Sequence, residues 1–279
     1  MVALRDIFDV LFHIEGRAVL SRGIIRAVWR VVRRVAGTRP GIFALAGPLG
    51  LIAVIAAWAV LIAAGWALLL LPHLSSFRDA AGDPAQGGFL EALHISLGTL
   101  STMGYGDVTP IEPWLRVVAP LEALIGFGLL TASVTWLFVV HPAVLRRRSL
   151  AYELWLIRHT GDVHDDAPVI GEQLLGELTS RIIAIERDLV AIPSSYYFAE
   201  QDERFSLAAE LPFLRRLAHE CKTDGADAGT VQRAHMLSTA IEDLLRTIAR
   251  LVHGEDPLDA DATLAVYAED HLKDAPPSQ

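Results

Sequence analysis

Residues 99–110 read TLSTMGYGDVTP, and the Gly-Tyr-Gly at the centre suits a backbone held in an unusual shape. Gly104 and Gly106 adopt positive φ at little cost, whereas Met103 and Tyr105 favour negative φ. Alternation of the two turns successive carbonyl oxygens to one side, a ladder of acceptors in place of a helix or strand. Around a four-fold axis such ladders stack into rings that replace the water shed by a bare monovalent cation. Thr102 adds a hydroxyl below the carbonyls of Met103, Gly104 and Tyr105. Each chain carries one such string, so a closed site requires four copies.

A Gly-x-Gly alone marks little more than a turn. Here two threonines, a tyrosine and an aspartate accompany it, and the string lies between two apolar runs. Residues 42–71 hold no charged side chain, and residues 114–140 hold only Arg116 and Glu122. Both runs exceed the ~20 residues needed to cross a bilayer. The chain is 52% hydrophobic with a mean hydropathy of +0.38, more apolar than most soluble proteins of its length. Arginines at 5, 17, 22, 26, 30, 33, 34 and 39 precede the first run, Arg146, Arg147 and Arg148 follow the second, and Arg78 alone lies between. That asymmetry predicts both termini in the cytoplasm and the glycine loop outside. Arg5, Asp6 and Asp9 interrupt any early apolar run, so no secretory signal is expected.

The string resembles the selectivity filter of the two-transmembrane-helix prokaryotic potassium channels, whose Thr-x-x-Thr-x-Gly-Tyr-Gly-Asp pattern is matched by Thr99, Thr102, Gly104, Tyr105, Gly106 and Asp107. The resemblance covers about residues 42–148. It implies an all-α membrane protein, with two transmembrane helices (43–71 and 114–140), a re-entrant pore helix (89–101) and a filter (102–106) per subunit. Four subunits would close one pore in a bacterial inner membrane. K⁺ would bind at Thr102, Met103, Gly104, Tyr105 and Gly106, with Thr99, Ser101 and Asp107 as supports. Gly126 and Gly128 are gating-hinge candidates, with helix packing as the alternative. Thr131, Ser133 and Thr135 are expected to line a wet cavity, and Trp136 or Phe138 to narrow its inner mouth. Two departures bear on filter support. His94 and Ile95 stand where some relatives carry paired aromatics, and Gly98 stands where some carry a glutamate near the aspartate. Glu122, a carboxylate within a spanning segment, is the candidate replacement, bonding the pore-helix end near Thr99 or Ser101.

The flanks differ in character. Residues 1–41 form an expected cytoplasmic or interfacial segment, in which RGIIRAVWRVVRRV at 22–35 reads as an amphipathic helix with Ile25, Val28 and Val32 toward lipid tails. Residues 149–279 hold 11 basic and 24 acidic side chains, a net charge of −13 against +4 for the remainder, which marks a separate acidic domain. Its apolar spacing predicts helices near 150–160, 168–192, 203–222, 229–253 and 260–272, with Ile170, Leu174, Leu178, Ile182 and Ile185 as one buried stripe. Strand-plus-glycine nucleotide motifs are absent from it. His164, Asp165 and Asp166 are a weak metal candidate, and the lone Cys221 has no evident base. SSYYF at 194–198 suggests packing only. No catalytic residues, nucleic-acid partner or organic cofactor are expected, and the chain does not read as an enzyme. The expected partners are three further copies, the bilayer and K⁺, with the gating ligand unassigned. Rival readings are a weakly selective monovalent cation channel and a non-conducting membrane sensor or adaptor.

Overall fold

The computed structural model describes residues 2–12, 19–36, 40–161, 171–222, 227–254 and 259–271. The His164–Asp165–Asp166 cluster and Ile170 lie outside the described residues. In chain order the helices are α1 (Val2–Phe12), α2 (Val19–Ala36), α3 (Pro40–Phe43), α4 (Ala46–Leu70), α5 (Gly88–Leu100), α6 (Pro113–Gly161), α7 (Glu172–Ala191), α8 (Leu207–Glu220), α9 (Ala228–His253) and α10 (Ala260–His271). Two segments are long and apolar enough to cross a membrane, Gly41–Ser76 and Pro113–Thr160. The all-α reading with two membrane helices stands.

α4 is apolar on every side, as expected of a helix surrounded by lipid and protein rather than water. Its end passes into a 3₁₀ turn, Leu71–Ser76, opened by Pro72, which lacks an N–H to donate back. The chain then forms β1 (Phe77–Asp79), which pairs antiparallel with β2 (Val108–Pro110) in the register Phe77↔Pro110, Arg78↔Thr109, Asp79↔Val108. This ribbon was not legible in the sequence. It ties the segment before α5 to the one leaving the glycine loop, over a small core of Ala67, Leu70, Leu74, Phe77, Ala92 and Leu115.

α6 departs most from expectation. The sequence reading stops a helix at 140 and starts another near 150, but α6 runs unbroken for 49 residues, ~70 Å. Residues 143–160 contain neither glycine nor proline, and Leu150, Ala151 and Leu154 are fully buried in the core of the acidic region. The boundary expected at 148/149 therefore lies inside a continuous helix. By compactness the chain divides at Phe138–Val139, within the same helix. Pro142 lies four residues on, and it has no N–H to offer the Phe138 carbonyl.

The first compact unit comprises α1, the start of α2 and Leu51–Phe138. Within it Asp6 is buried and accepts from the backbone N–H of Leu20 (3.1 Å) and Ser21 (3.2 Å), from the Ser21 hydroxyl and from Trp58 Nε1 (2.9 Å). One carboxylate thus joins α1, the first turn of α2 and the middle of α4, its several donors compensating its burial.

The second unit takes in Ile25–Gly50 and everything from Val139 onward. The end of α6 packs with α7, α8 and α9 around Leu175, Leu178, Ile182, Leu211, Leu214, Leu237, Ile241 and Leu244, the three- and four-residue spacing read from the sequence. α2 shows its apolar face to protein rather than to lipid tails. Ile25, Trp29, Val32 and Ala36 are buried, and the last three pack with Phe43, Ala46 and Ala199. An aromatic pocket that sequence periodicity does not reveal supplies the partner: Trp29 lies 4.7 Å from Phe43 and 5.5 Å from Tyr197, ring centre to ring centre.

Candidate functional site

The loop Thr102–Gly106 leaves the C-terminus of α5. Thr102, Gly104 and Gly106 have φ of +58°, +52° and +74°, while Met103 and Tyr105 between them do not enter positive φ. Handedness therefore alternates at every residue, as the glycine spacing predicts, and starts one residue earlier than the glycines require. For β-branched Thr102 that conformation costs roughly 1–3 kcal/mol, so its surroundings must hold it there.

Gly98 supplies much of that hold. Its carbonyl accepts from the N–H groups of Met103 and Gly104, both at 3.1 Å, and from the Ser101 hydroxyl at 3.2 Å. The N–H of Thr102 bonds the Thr99 carbonyl at 2.9 Å. Helix-end carbonyls without partners in α5 are thereby used to fasten the first half of the loop.

The second half is held by a residue that the sequence reading noted only as a departure. The His94 ring lies parallel to the Tyr105 ring, at 16° and 5.7 Å between centres. Its Nε2 donates to Asp107 Oδ2 at 2.9 Å, and this bond holds the Asp107 carboxyl below the usual carboxylate range. Gly98, one turn on along the same face of α5, lies against the Tyr105 ring, and a methyl there would make ordinary contact with Tyr105 Cδ2 at 3.5 Å. So Gly98 itself cannot bond Asp107, but His94 reaches it from the preceding turn. The i, i+4 spacing of His94 and Gly98 was the available signal.

Glu122 is 1% exposed and faces protein. It accepts from Ser96 Oγ at 2.5 Å, not from Thr99 or Ser101. Those two hydroxyls turn back onto α5, Thr99 to the Ile95 carbonyl (2.8 Å) and Ser101 to that of Gly98. Ser96 also lies 3.0 Å from the Ala63 carbonyl of α4, so α4, α5 and α6 meet at this one hydroxyl. It was missed in the sequence, where its signal is a lone hydroxyl facing inward in a largely apolar segment.

Gly126 and Gly128 have different surroundings. A Cβ on Gly126 would run into the Leu100 carbonyl at the end of α5, whereas one on Gly128 would meet nothing within 4 Å. α6 is helical through both. Farther along, Ser133 and Trp136 share the buried face of Glu122, Gly126 and Leu129. Ser133 bonds the Leu129 carbonyl (2.7 Å), and the Trp136 ring packs on Trp58 of α4 at 5.5 Å. Trp136 is therefore taken up inside the protomer and does not sit at an inner mouth. Thr131, Thr135 and Phe138 occupy the opposite, exposed face of α6, and Phe138 is 72% exposed.

A short helix seated on two long apolar helices thus holds a loop of alternating handedness. Residues 52–140 match the family described as "Ion channel". Among curated proteins the chain is similar to the uncharacterized membrane protein YdjJ of Bacillus subtilis, 27% identical over 157 residues, 56% of this chain and 45% of that protein. It is also similar to two-pore potassium channel 5 of Arabidopsis thaliana, 42% identical over 41 residues, 15% of this chain and 10% of that one. The chain thus spans less than half the length of each of these relatives. No solved structure gives a significant match.

Proposed function

We propose that four copies of this chain assemble a potassium-selective channel that conducts K⁺ passively across a bacterial inner membrane. The observation that carries this reading is the alternation of φ at Thr102, Gly104 and Gly106 about Met103 and Tyr105. Carbonyls of Thr102, Met103, Gly104 and Tyr105, with the Thr102 hydroxyl, replace the ion's hydration, and Gly106 completes the turn. Neighbouring ions displace one another by repulsion. Asp107 raises the local cation concentration, while Thr131 and Thr135 line a wet approach ending near Phe138. The similarity to a protein named a potassium channel supports K⁺ as the ion. The arginine-rich flanks support cytoplasmic termini.

The purified protein in liposomes, with an imposed K⁺ gradient, tests the reading. Rapid K⁺ flux with exclusion of Na⁺ is the expected result. Replacement of paired aromatics by His94 and Ile95 favours one second reading, a weakly selective cation channel, and a K⁺:Na⁺ permeability ratio near one would establish it. Absence of flux would leave a membrane sensor or adaptor. Crosslinking in the bilayer that stops at dimers or trimers would refute the four-fold pore.

A further inference from the structure

The segment SSYYF at 194–198, to which the sequence assigned only packing, contacts four helices within the second unit. Tyr197 accepts from Arg26 of α2 at 3.3 Å, and its ring stands edge-on to Trp29. Tyr196 donates to Asp270 of α10 at 2.7 Å. The Phe198 ring fills the space a side chain on Gly47, at the start of α4, would occupy. From α6, buried Arg147 donates to the carbonyls of Ser195 (2.9 Å) and Phe198. Glu200 accepts from Arg147 (3.4 Å) and Arg148 (2.5 Å). One short segment therefore holds α2, α10 and the near ends of both long apolar helices.

His271, at the end of α10, lies inside this cluster. It is 7% exposed, and its ring centre is 4.7 Å from Tyr267, 4.9 Å from Tyr196 and 5.7 Å from Trp29. Among the described residues its buried Nε2 has no hydrogen-bond partner. The charges that weigh most on it are cations, Arg147 from α6 and Arg33 from α2. The carboxylates around it are engaged. Asp270 holds Arg33 (2.6 Å) and Tyr196, Glu269 holds Arg33 (3.1 Å), and Glu200 holds Arg147 and Arg148. The phenol groups of Tyr196 and Tyr267 are themselves kept protonated by burial.

We propose that His271 is an acid sensor: its protonation places a third cation beside Arg147 and Arg33 in a buried aromatic enclosure and releases α2 and α10 from the 195–200 segment. The same segment grips the ends of α4 and α6, so release changes the constraint on both. Burial and the two guanidiniums hold the imidazole well below its ordinary value while the cluster is closed. An opened cluster gives His271 an ordinary value near 6.5 and binds protons more readily. The closed form is therefore favoured above about pH 6.5 and lost progressively as pH falls below it, toward the depressed closed-state value. The sensing step stands on this cluster alone; its effect on conduction rests on the channel reading.

Hydrogen exchange on the full chain in lipid nanodiscs, corrected for the intrinsic pH dependence of exchange, tests the sensing step. Between pH 6.5 and 5.5, exchange of residues 25–36 and 195–200 is expected to rise about fivefold. His271→Phe, which keeps a ring without the titration, is expected to remove the rise, and His271→Gln serves if the phenylalanine variant misfolds. A flat wild-type response, or the full rise in both variants, overturns the proposal. K⁺ flux read at the same pH values separates the two readings. Exchange that responds in a protein without flux refutes the channel and leaves the sensor. Acid-sensitive flux unchanged by His271→Phe refutes the effect of His271 on conduction and leaves the channel.

Discussion

Two glycines a pair of residues apart on α6 should respond to alanine with opposite signs. Glycine inside a helix costs about 0.8–1.0 kcal/mol relative to alanine, so with nothing else nearby a methyl group stabilises. That is the situation at Gly128, whose Cβ would meet no atom within 4 Å. Gly128→Ala should stabilise the pore domain by roughly 0.5–1 kcal/mol. At Gly126 the added carbon overlaps the Leu100 carbonyl, which is backbone and cannot swing aside as a flexible side chain would. Overpacking of this kind costs about 1–3 kcal/mol, more than the propensity gain, so Gly126→Ala should be destabilised on balance. Leu100 stands two residues before Thr102, so relief of the overlap by a shift of α5 would also move the loop. Thermal unfolding of the detergent-solubilised protein gives the two signs, and K⁺ flux in liposomes reads the displacement. A Gly126→Ala protein as stable and as conductive as wild type, or greater damage from Gly128→Ala, would refute the packing argument. Equal loss of opening in both variants, with stability unchanged, would instead point to a hinge.

Removing the Ser96 hydroxyl leaves the buried Glu122 carboxyl without its donor, so Ser96→Ala should destabilise the pore domain by about 1–3 kcal/mol in chemical denaturation. Glu122→Gln keeps an acceptor for Ser96 and should cost clearly less; equal losses would discount the bond. His94→Ala removes both the stack on Tyr105 and the bond to Asp107, and His94→Phe removes the bond alone. Reversal potentials in mixed K⁺/Na⁺ should show discrimination reduced most in the alanine variant, and an unchanged ratio would remove His94 from the site. Arg147→Ala leaves two carbonyls without their donor and Glu200 with Arg148 alone, so the second unit should lose about 1–3 kcal/mol, read from its melting in the full chain. The Glu210 carboxyl, raised by burial beside Arg158, makes the opposite pH contribution to that of His271. The folded state binds its proton more readily than the unfolded one, so this contribution to stability falls as pH rises through the raised value. Glu210→Gln should flatten that slope in pH-dependent melts.

What local chemistry can specify was readable in one dimension. Glycines two residues apart dictate the alternating backbone of 103–106, because they take positive φ freely, and uninterrupted apolar stretches dictate two membrane helices, whereas positive φ at Thr102 was not legible. The stripe Leu178, Ile182, Ile185 likewise announces a buried helix face. Partner choice was another matter. Glu122 announced that it needed a donor but not that Ser96, rather than Thr99 or Ser101, would provide it, since that depends on how α5 crosses α6. Trp136 looked equally suited to a pore mouth until packing against Trp58 settled its direction. The apolar face of α2 suits lipid or protein alike, and only the aromatic pocket around Tyr197 decides between them. The continuity of α6 past residue 148 likewise comes from tertiary burial of Leu150 and Leu154, which outweighs a change in surface charge. Periodicity and backbone preference act within a few residues of one another, whereas these outcomes turn on distant segments meeting in space.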